Sequence, residues 1–391
     1  MNLILNGRGV LAAQYFLYFG VMGVYLPFFN LYCYKLGFSG WQIGALSAAR
    51  STVMIVCSIF WSILADRFHA RRGIYIACNF ASAALWALFL LTADFSWMLI
   101  ITVAYGIFFA PLIAFLEAFS MDLLARDKQR YGRMRVWGSA AFIVVVLGLG
   151  RLIETFEVRI ILSLILAGSW LQAVVSTGFP KSPARKQRTF DAQWRQLLTG
   201  KGVVFLLCGF LMLLSHGAYY TFFSIHLADL GYGSLFIGVG WAAAVGAEIL
   251  AMLYSPRLFA RLGYESVLML SFAVAVLRWS GLWLFDSAPA LLLLQLTHAV
   301  TYGMFHMASI LYVDRLAPKG TKTLGQAVNN AVTYGLGLMT GFFISGILYQ
   351  HIGAHLLFGI SGGIALLGGG VFGGYTFLSK RKGLNTNPNV A

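Results

Sequence analysis

The residues of this sequence best placed to do chemistry are ionisable side chains set inside long apolar runs. Arg50, Glu117, Asp122, His216, Glu248, Arg278, His298 and His306 each interrupt such a run. A charge at the centre of a membrane helix costs about 2.5–3.5 kcal/mol on insertion scales, so it persists only where it pairs or works. Carboxylates, arginines and histidines together can make a proton site and an ion-pair switch. Their spacing matches no zinc motif, and no nucleophile motif or phosphate loop accompanies them, so neither an enzyme nor a metal centre is expected. Glu248 lies deep in its run, between Ala247 and Ile249. A carboxyl that takes or releases a proton according to its neighbours is what proton coupling requires. Arg278, in Leu277-Arg278-Trp279, cannot deprotonate and needs an acidic partner or an anionic ligand, and Arg50 has the same need. Asp122 and Arg135 sit where a helix-end charge can reach water, and His306 reads as a satisfied core histidine ahead of a functional one.

The elements that carry these residues follow from composition. The chain has 391 residues, 59% hydrophobic and only 10% charged, with a mean hydropathy of +0.78. That leaves too little polar surface to coat a soluble globule of this size. Twelve membrane-crossing helices are expected, near 9–34, 41–64, 74–92, 97–124, 134–153, 158–178, 203–229, 235–256, 264–285, 289–313, 323–349 and 354–378. The first run is longer than a signal-peptide core and lacks a small-residue cleavage site, so it reads as a retained span. The fold class is all-α integral membrane, in two six-helix halves: 1–179, a basic linker at 180–202, and 203–391. The four cysteines have no paired spacing and imply packing rather than disulfides or metal.

The two halves are related. Shifted by 194 positions, Tyr25, Phe28, Phe29, Leu36, Gly37, Ile43, Gly44 and Arg67 fall on Tyr219, Phe222, Phe223, Leu230, Gly231, Ile237, Gly238 and Arg261. A second echo sets Tyr105-Gly106-Ile107-Phe108 on Tyr302-Gly303-Met304-Phe305. Internal symmetry between hydrophobic halves is what transporters built from structural repeats leave in their sequences. Gly335, Gly337, Gly341 and Gly346 add small faces suited to close helix contact.

The net charge of +15 sits in short loops rather than in a nucleic-acid-binding patch. If the spans alternate from a cytoplasmic N-terminus, one face collects Arg8, Arg67, Arg71, Arg72, Arg135, the linker, Arg257, Arg261 and Arg315, while the other keeps Lys35, Arg151 and Arg159. This asymmetry puts both termini and the linker in the cytoplasm.

Several stretches carry a resemblance. Leu64-Ala65-Asp66-Arg67-Phe68-His69-Ala70-Arg71-Arg72 resembles the loop signature of the major facilitator superfamily, which implies a gating role for Asp66, Arg67, Arg71 and Arg72. Tyr131 to Ser139, His216 to Phe223, Leu277 to Trp279, and Leu294 to His298 with His306 resemble the phenylpropionate transporter branch, related to lactose permease and the nucleoside symporters. The resemblance covers nearly the whole chain. It implies substrate contacts at Glu117 and Arg135 and proton coupling through Glu248, Arg278 and His298. No acid occurs within helix ten before Asp314, which leaves Glu248 the candidate for the proton.

The resulting expectation is a monomeric secondary transporter of a bacterial-type inner membrane, working by alternating access. It needs no cofactor, because the proton gradient supplies the energy. Arg50 and Arg278 suit a carboxylate substrate, His216, Tyr219, Tyr220 and Gln295 add ring and polar contacts, and import by proton symport is expected. A sugar or nucleoside is the alternative, since Glu117, Gln295 and Trp137 also suit hydroxyls. An exporter of the same fold differs in coupling direction, which the sequence does not show.

Overall fold

The computed structural model describes residues 7–123, 130–179, 199–318 and 321–381, which are helical apart from short turns and contain no strand. The first six helices are α1 (Gly7–Lys35), α2 (Gly40–Arg67), α3 (Arg71–Trp86, extended by the tighter turn Ala87–Leu90), α4 (Phe95–Leu123), α5 (Arg130–Thr155) and α6 (Ile160–Ser176). The second six are α7 (Gly200–Asp229), α8 (Ser234–Arg261), α9 (Tyr264–Leu284), α10 (Ala288–Leu316), α11 (residues 322–352) and α12 (residues 354–381). Among the described residues ten helices are long and apolar enough to cross a membrane; α6 is a shorter apolar helix, and the last of the ten is divided by Gly353 at φ 68°. Twelve crossings result, as expected. The linker and the C-terminal tail lie largely outside the described residues.

The sequence repeat is explained residue by residue. Gly37 and Gly231 adopt φ values of +86° and +85°. Each closes its helix in a Schellman turn: Phe38 N donates to Cys33 O (3.1 Å) and Tyr232 N to Leu227 O (3.0 Å). A left-handed residue at this position is most cheaply glycine. Ser39 then opens α2 with a capping box, its backbone N donating to Gln42 Oε1 at 2.9 Å while Gln42 N donates back to Ser39 Oγ.

Gly44 and Gly238, the next repeat pair, are sites of close approach. A Cβ at Gly44 would lie 2.7 Å from Gly346 Cα on α11, and one at Gly238 would lie 2.6 Å from Val146 O on α5. These crossings, α2 on α11 and α8 on α5, set how the chain packs. One compact unit contains the described part of 1–188 together with 220–246 and 342–351; the other contains the described part of 189–219, 247–341 and 352–391. Sequence divides the chain at the linker, whereas contact gives the first unit the ends of α7, α8 and α11. That unit also holds Asp229, which accepts from Tyr34 Oη (3.0 Å) and Tyr349 Oη (3.1 Å).

The outward faces are apolar, as lipid requires. Val56, Ile59 and Phe60 on α2 are over half exposed, and so are their repeat equivalents Leu250, Leu253 and Tyr254 on α8. In water such stripes would be an aggregation hazard; in a bilayer they are the solvent-facing surface.

Candidate functional site

The second compact unit gathers most of the ionisable residues singled out in the sequence. Arg278, on α9, is fully buried. Its Nη1 donates to Thr301 Oγ1 (3.1 Å) and to His298 Nδ1, and its Nη2 to Gln295 Oε1 (3.1 Å). The same Gln295 oxygen accepts from Tyr219 Oη at 2.9 Å. The guanidinium also lies 4.3 Å from the Tyr219 ring centroid and 4.8 Å from that of Trp279, close enough for cation–π attraction.

His298 links this cation to the acid. Its Nε2 is 2.9 Å from Glu248 Oε1 on α8. Arginine can only donate, so Nδ1 accepts and the ring proton sits on Nε2, facing the carboxylate. Acid, imidazole and guanidinium therefore form one chain across α8, α10 and α9. Gly303 packs beside it, and a Cβ there would make an ordinary contact with Glu248 Cγ at 3.4 Å.

His216, on α7, borders this chain. Its Nδ1 donates to Met212 O (2.8 Å), and its ring meets Trp279 edge-on with centroids 4.9 Å apart. Tyr220, four residues further along α7, belongs to the other compact unit and faces Trp241 at 6.1 Å.

Arg50 is placed quite differently. In the first unit its guanidinium lies 4.3 Å from the Tyr25 centroid and 5.8 Å from that of Phe109. Among the described residues its Nη2 meets the thioether of Met22, at 3.5 Å, and its buried Nε has no hydrogen-bond partner. A thioether sulfur is a weak acceptor, so the strong donors of this fork are poorly satisfied by the described residues. Glu117 and Arg50 both act electrostatically on Tyr18, which lies near each of them.

The loop residues form a separate cluster. Arg71 bridges Asp66 (3.0 Å) and Asp122 (3.3 Å), while Arg72 donates to Thr177 O and Phe179 O, both at 2.6 Å. They tie the ends of α2, α3, α4 and α6 together. Arg67 lies against Phe68 at 5.9 Å. The backbone of α5 runs through Arg135, but its side chain lies outside the described residues.

Sequence reasoning missed Thr301 and Trp279 as partners of Arg278, and it missed the local backbone of α10 and α11. Residues Ala299–Met304 and Asn330–Gly337 are π-helical. The repeated Tyr-Gly at 302–303 marked the internal symmetry, but it carried nothing that distinguishes a π turn from an α turn.

Twelve apolar crossings in two repeated halves, with an acid–imidazole–guanidinium chain buried inside, define a polytopic membrane transporter rather than an enzyme. The family model described as "MFS_1 like family" matches residues 9–360, and the chain belongs to that family, within the major facilitator superfamily. Among curated relatives, the "Probable 3-phenylpropionic acid transporter" of Escherichia coli (strain K12) is 28% identical over 381 residues, covering 93% of this chain and 97% of that one. The maltose permease of Geobacillus stearothermophilus is 24% identical over 352 residues, covering 88% and 89%. The crystal structure of the nucleoside transporter NupG superposes with a TM-score of 0.82 at 18% identity, over 94% of this chain and 98% of that one. The likeness to NupG is one of fold.

Proposed function

We propose that this transporter is a monomeric proton symporter of a bacterial inner membrane, importing a small aromatic carboxylate with both termini in the cytoplasm. The observation that carries the coupling is His298, held between Glu248 and Arg278. A second ring proton would place an N–H of His298 against the N–H of Arg278, two donors face to face, and the guanidinium would have to leave. Protonation of Glu248 removes the charge that balances the pair. Proton arrival and the position of Arg278 are thus linked, and a linked charge and helix position is what turns a proton gradient into transport. Tyr219 and Gln295 orient the guanidinium from their side.

Arg50 is the basis for the substrate class. Its fork is offered to weak acceptors and ring faces, an arrangement that a bidentate carboxylate with an attached ring would complete. The phenylpropionate relative supports the same class. Glu117, Arg135, His216 and Tyr220 are the further substrate-facing candidates. The Asp66–Arg71–Asp122 cluster would make the ends of α2, α3 and α4 move as one body when the gate operates.

The test is uptake of 3-phenylpropionate into proteoliposomes under an imposed pH difference. Glu248→Gln keeps size but removes titration, so it should abolish accumulation while exchange of bound substrate continues, because only net symport must return an empty carrier. Accumulation by this variant in proportion to the pH difference would sink the coupling assignment. Proton-driven uptake of maltose or a nucleoside in place of 3-phenylpropionate would overturn the substrate class.

A further inference from the structure

The two π-helical stretches in the second unit face a feature that the reading above leaves unused. Such turns are rare and concentrate at functional sites. Tyr302 lies in the α10 stretch, Tyr334 in the α11 stretch, and His306 just beyond the first. His306 Nδ1 is 2.7 Å from Tyr334 Oη, and the two rings meet edge-on with centroids 5.0 Å apart. Between the two histidines of α10, the Tyr302 ring is nearly parallel to both: 5.3 Å and 16° from His298, 6.3 Å and 7° from His306. Four residues of an ordinary α-helix overshoot one turn by about 40°. The wider π turn offsets that drift and keeps the three rings on one face.

The column begins at the imidazole bonded to Glu248 and runs eight residues toward the end of α10 that carries Arg315, roughly 12 Å at the helical rise. Burial changes along it. His298 is 4% exposed, whereas His306 is only partly buried. The column thus runs from a sealed imidazole to a less enclosed one.

We propose that His306, its ring fixed by Tyr334, is a second proton acceptor of the transport cycle, taking the proton from the Glu248–His298 pair. This inference rests on the proton-coupled reading above. The O–H bond of the Glu248 carboxyl breaks, water passes the proton along the column, and an N–H bond forms at His306 Nε2, while Nδ1–H donates to Tyr334 Oη. Glu248 is left a carboxylate and His306 an imidazolium. Loss of the Nε2 proton to water at the Arg315 end restores the neutral ring. Imidazole suits the step because its ordinary titration range spans neutral pH.

The experiment compares the unsubstituted protein, Glu248→Gln, His306→Gln and Tyr334→Phe in proteoliposomes, with 3-phenylpropionate as probe. Both accumulation under a pH difference and exchange at equal pH are measured across a pH series. His306→Gln should slow accumulation roughly tenfold or more, the scale of a lost acid–base group, with an altered pH profile and exchange retained. Tyr334→Phe should show the same pattern more weakly. Unchanged accumulation with an unchanged pH profile would overturn the inference while leaving Glu248 in its role. An equal fall in accumulation and exchange would also overturn it, by showing that His306 is a packing residue. If His306→Gln does not fold, Tyr334→Phe decides between the same outcomes. Accumulation by Glu248→Gln, or no proton-driven uptake by the unsubstituted protein, defeats the symport reading itself and this inference with it.

Discussion

Tyr25 and Tyr219 are repeat equivalents, and each has an arginine guanidinium 4.3 Å from its ring centroid. The arginines come from different places in the repeat: Arg50 from α2, Arg278 from α9. Their surroundings differ more still. Arg278 spends its donors on His298, Thr301 and Gln295, while Arg50 meets a thioether and two rings. The crossings beside them differ in the same sense. A Cβ at Gly106 would meet Val53, and one at Gly303 would meet Glu248. Duplication supplied one aromatic platform twice, and the side chains around it then diverged. Arg278 is held by polar side chains, whereas Arg50 lies among a thioether and rings, the difference on which the proposed division into a coupling and a ligand arginine rests.

The largest expected effect separates the two arginines by stability. Arg278→Leu strips a buried acid–imidazole pair of its cation, a change that costs about 3–5 kcal/mol. Arg50→Leu loses chiefly cation–π attraction, about 1 kcal/mol. Thermal unfolding of the purified variants should rank them in that order, and equal losses would erase the distinction. An intermediate effect is expected on binding. Arg50→Lys keeps the charge but loses the fork, so the affinity for 3-phenylpropionate, read from the ligand-induced rise in melting temperature, should fall about tenfold. Unchanged affinity would remove Arg50 from the site. The smallest effect sharpens the comparison of the tyrosines. Tyr219→Phe removes the donor to Gln295 and should cost about 1 kcal/mol, whereas Tyr25→Phe keeps the ring under Arg50 and should shift stability by only a few tenths.

Much of this was legible in the sequence, for physical reasons that differ by feature. The crossings announce themselves because lipid tolerates only long apolar helices. Gly37 and Gly231 were readable as turns because the left-handed conformation favours glycine so strongly. Glu248, Arg278 and His298 stood out through the cost of placing a charge in an apolar run. Their pairing was not readable from spacing, since they lie on three helices, and the resemblance rather than the residues suggested that they act together. Tyr219 and Tyr220 looked alike in sequence, but consecutive helical residues face directions about 100° apart, and packing sent them to different compact units. The regrouping of the α7, α8 and α11 ends with the first six helices was also hidden. It depends on where the glycine crossings close, and a local pattern cannot show which helix a small face will meet.

Those crossings have an entropic consequence. Where Gly44 meets Gly346 and Gly238 meets Val146 O, the nearest atoms are backbone. Glycine has no rotamers to freeze, so these contact points form with almost none of the side-chain entropy cost, up to about 2 kcal/mol per long residue, that an interdigitated seam incurs. Nor do they release such entropy on parting. Contacts of this kind behave like a dry joint rather than a set of interlocked teeth, and they bias the protein little toward either of two helix arrangements. The few specific bonds beside them, such as the two tyrosines on Asp229, are then left to set the balance.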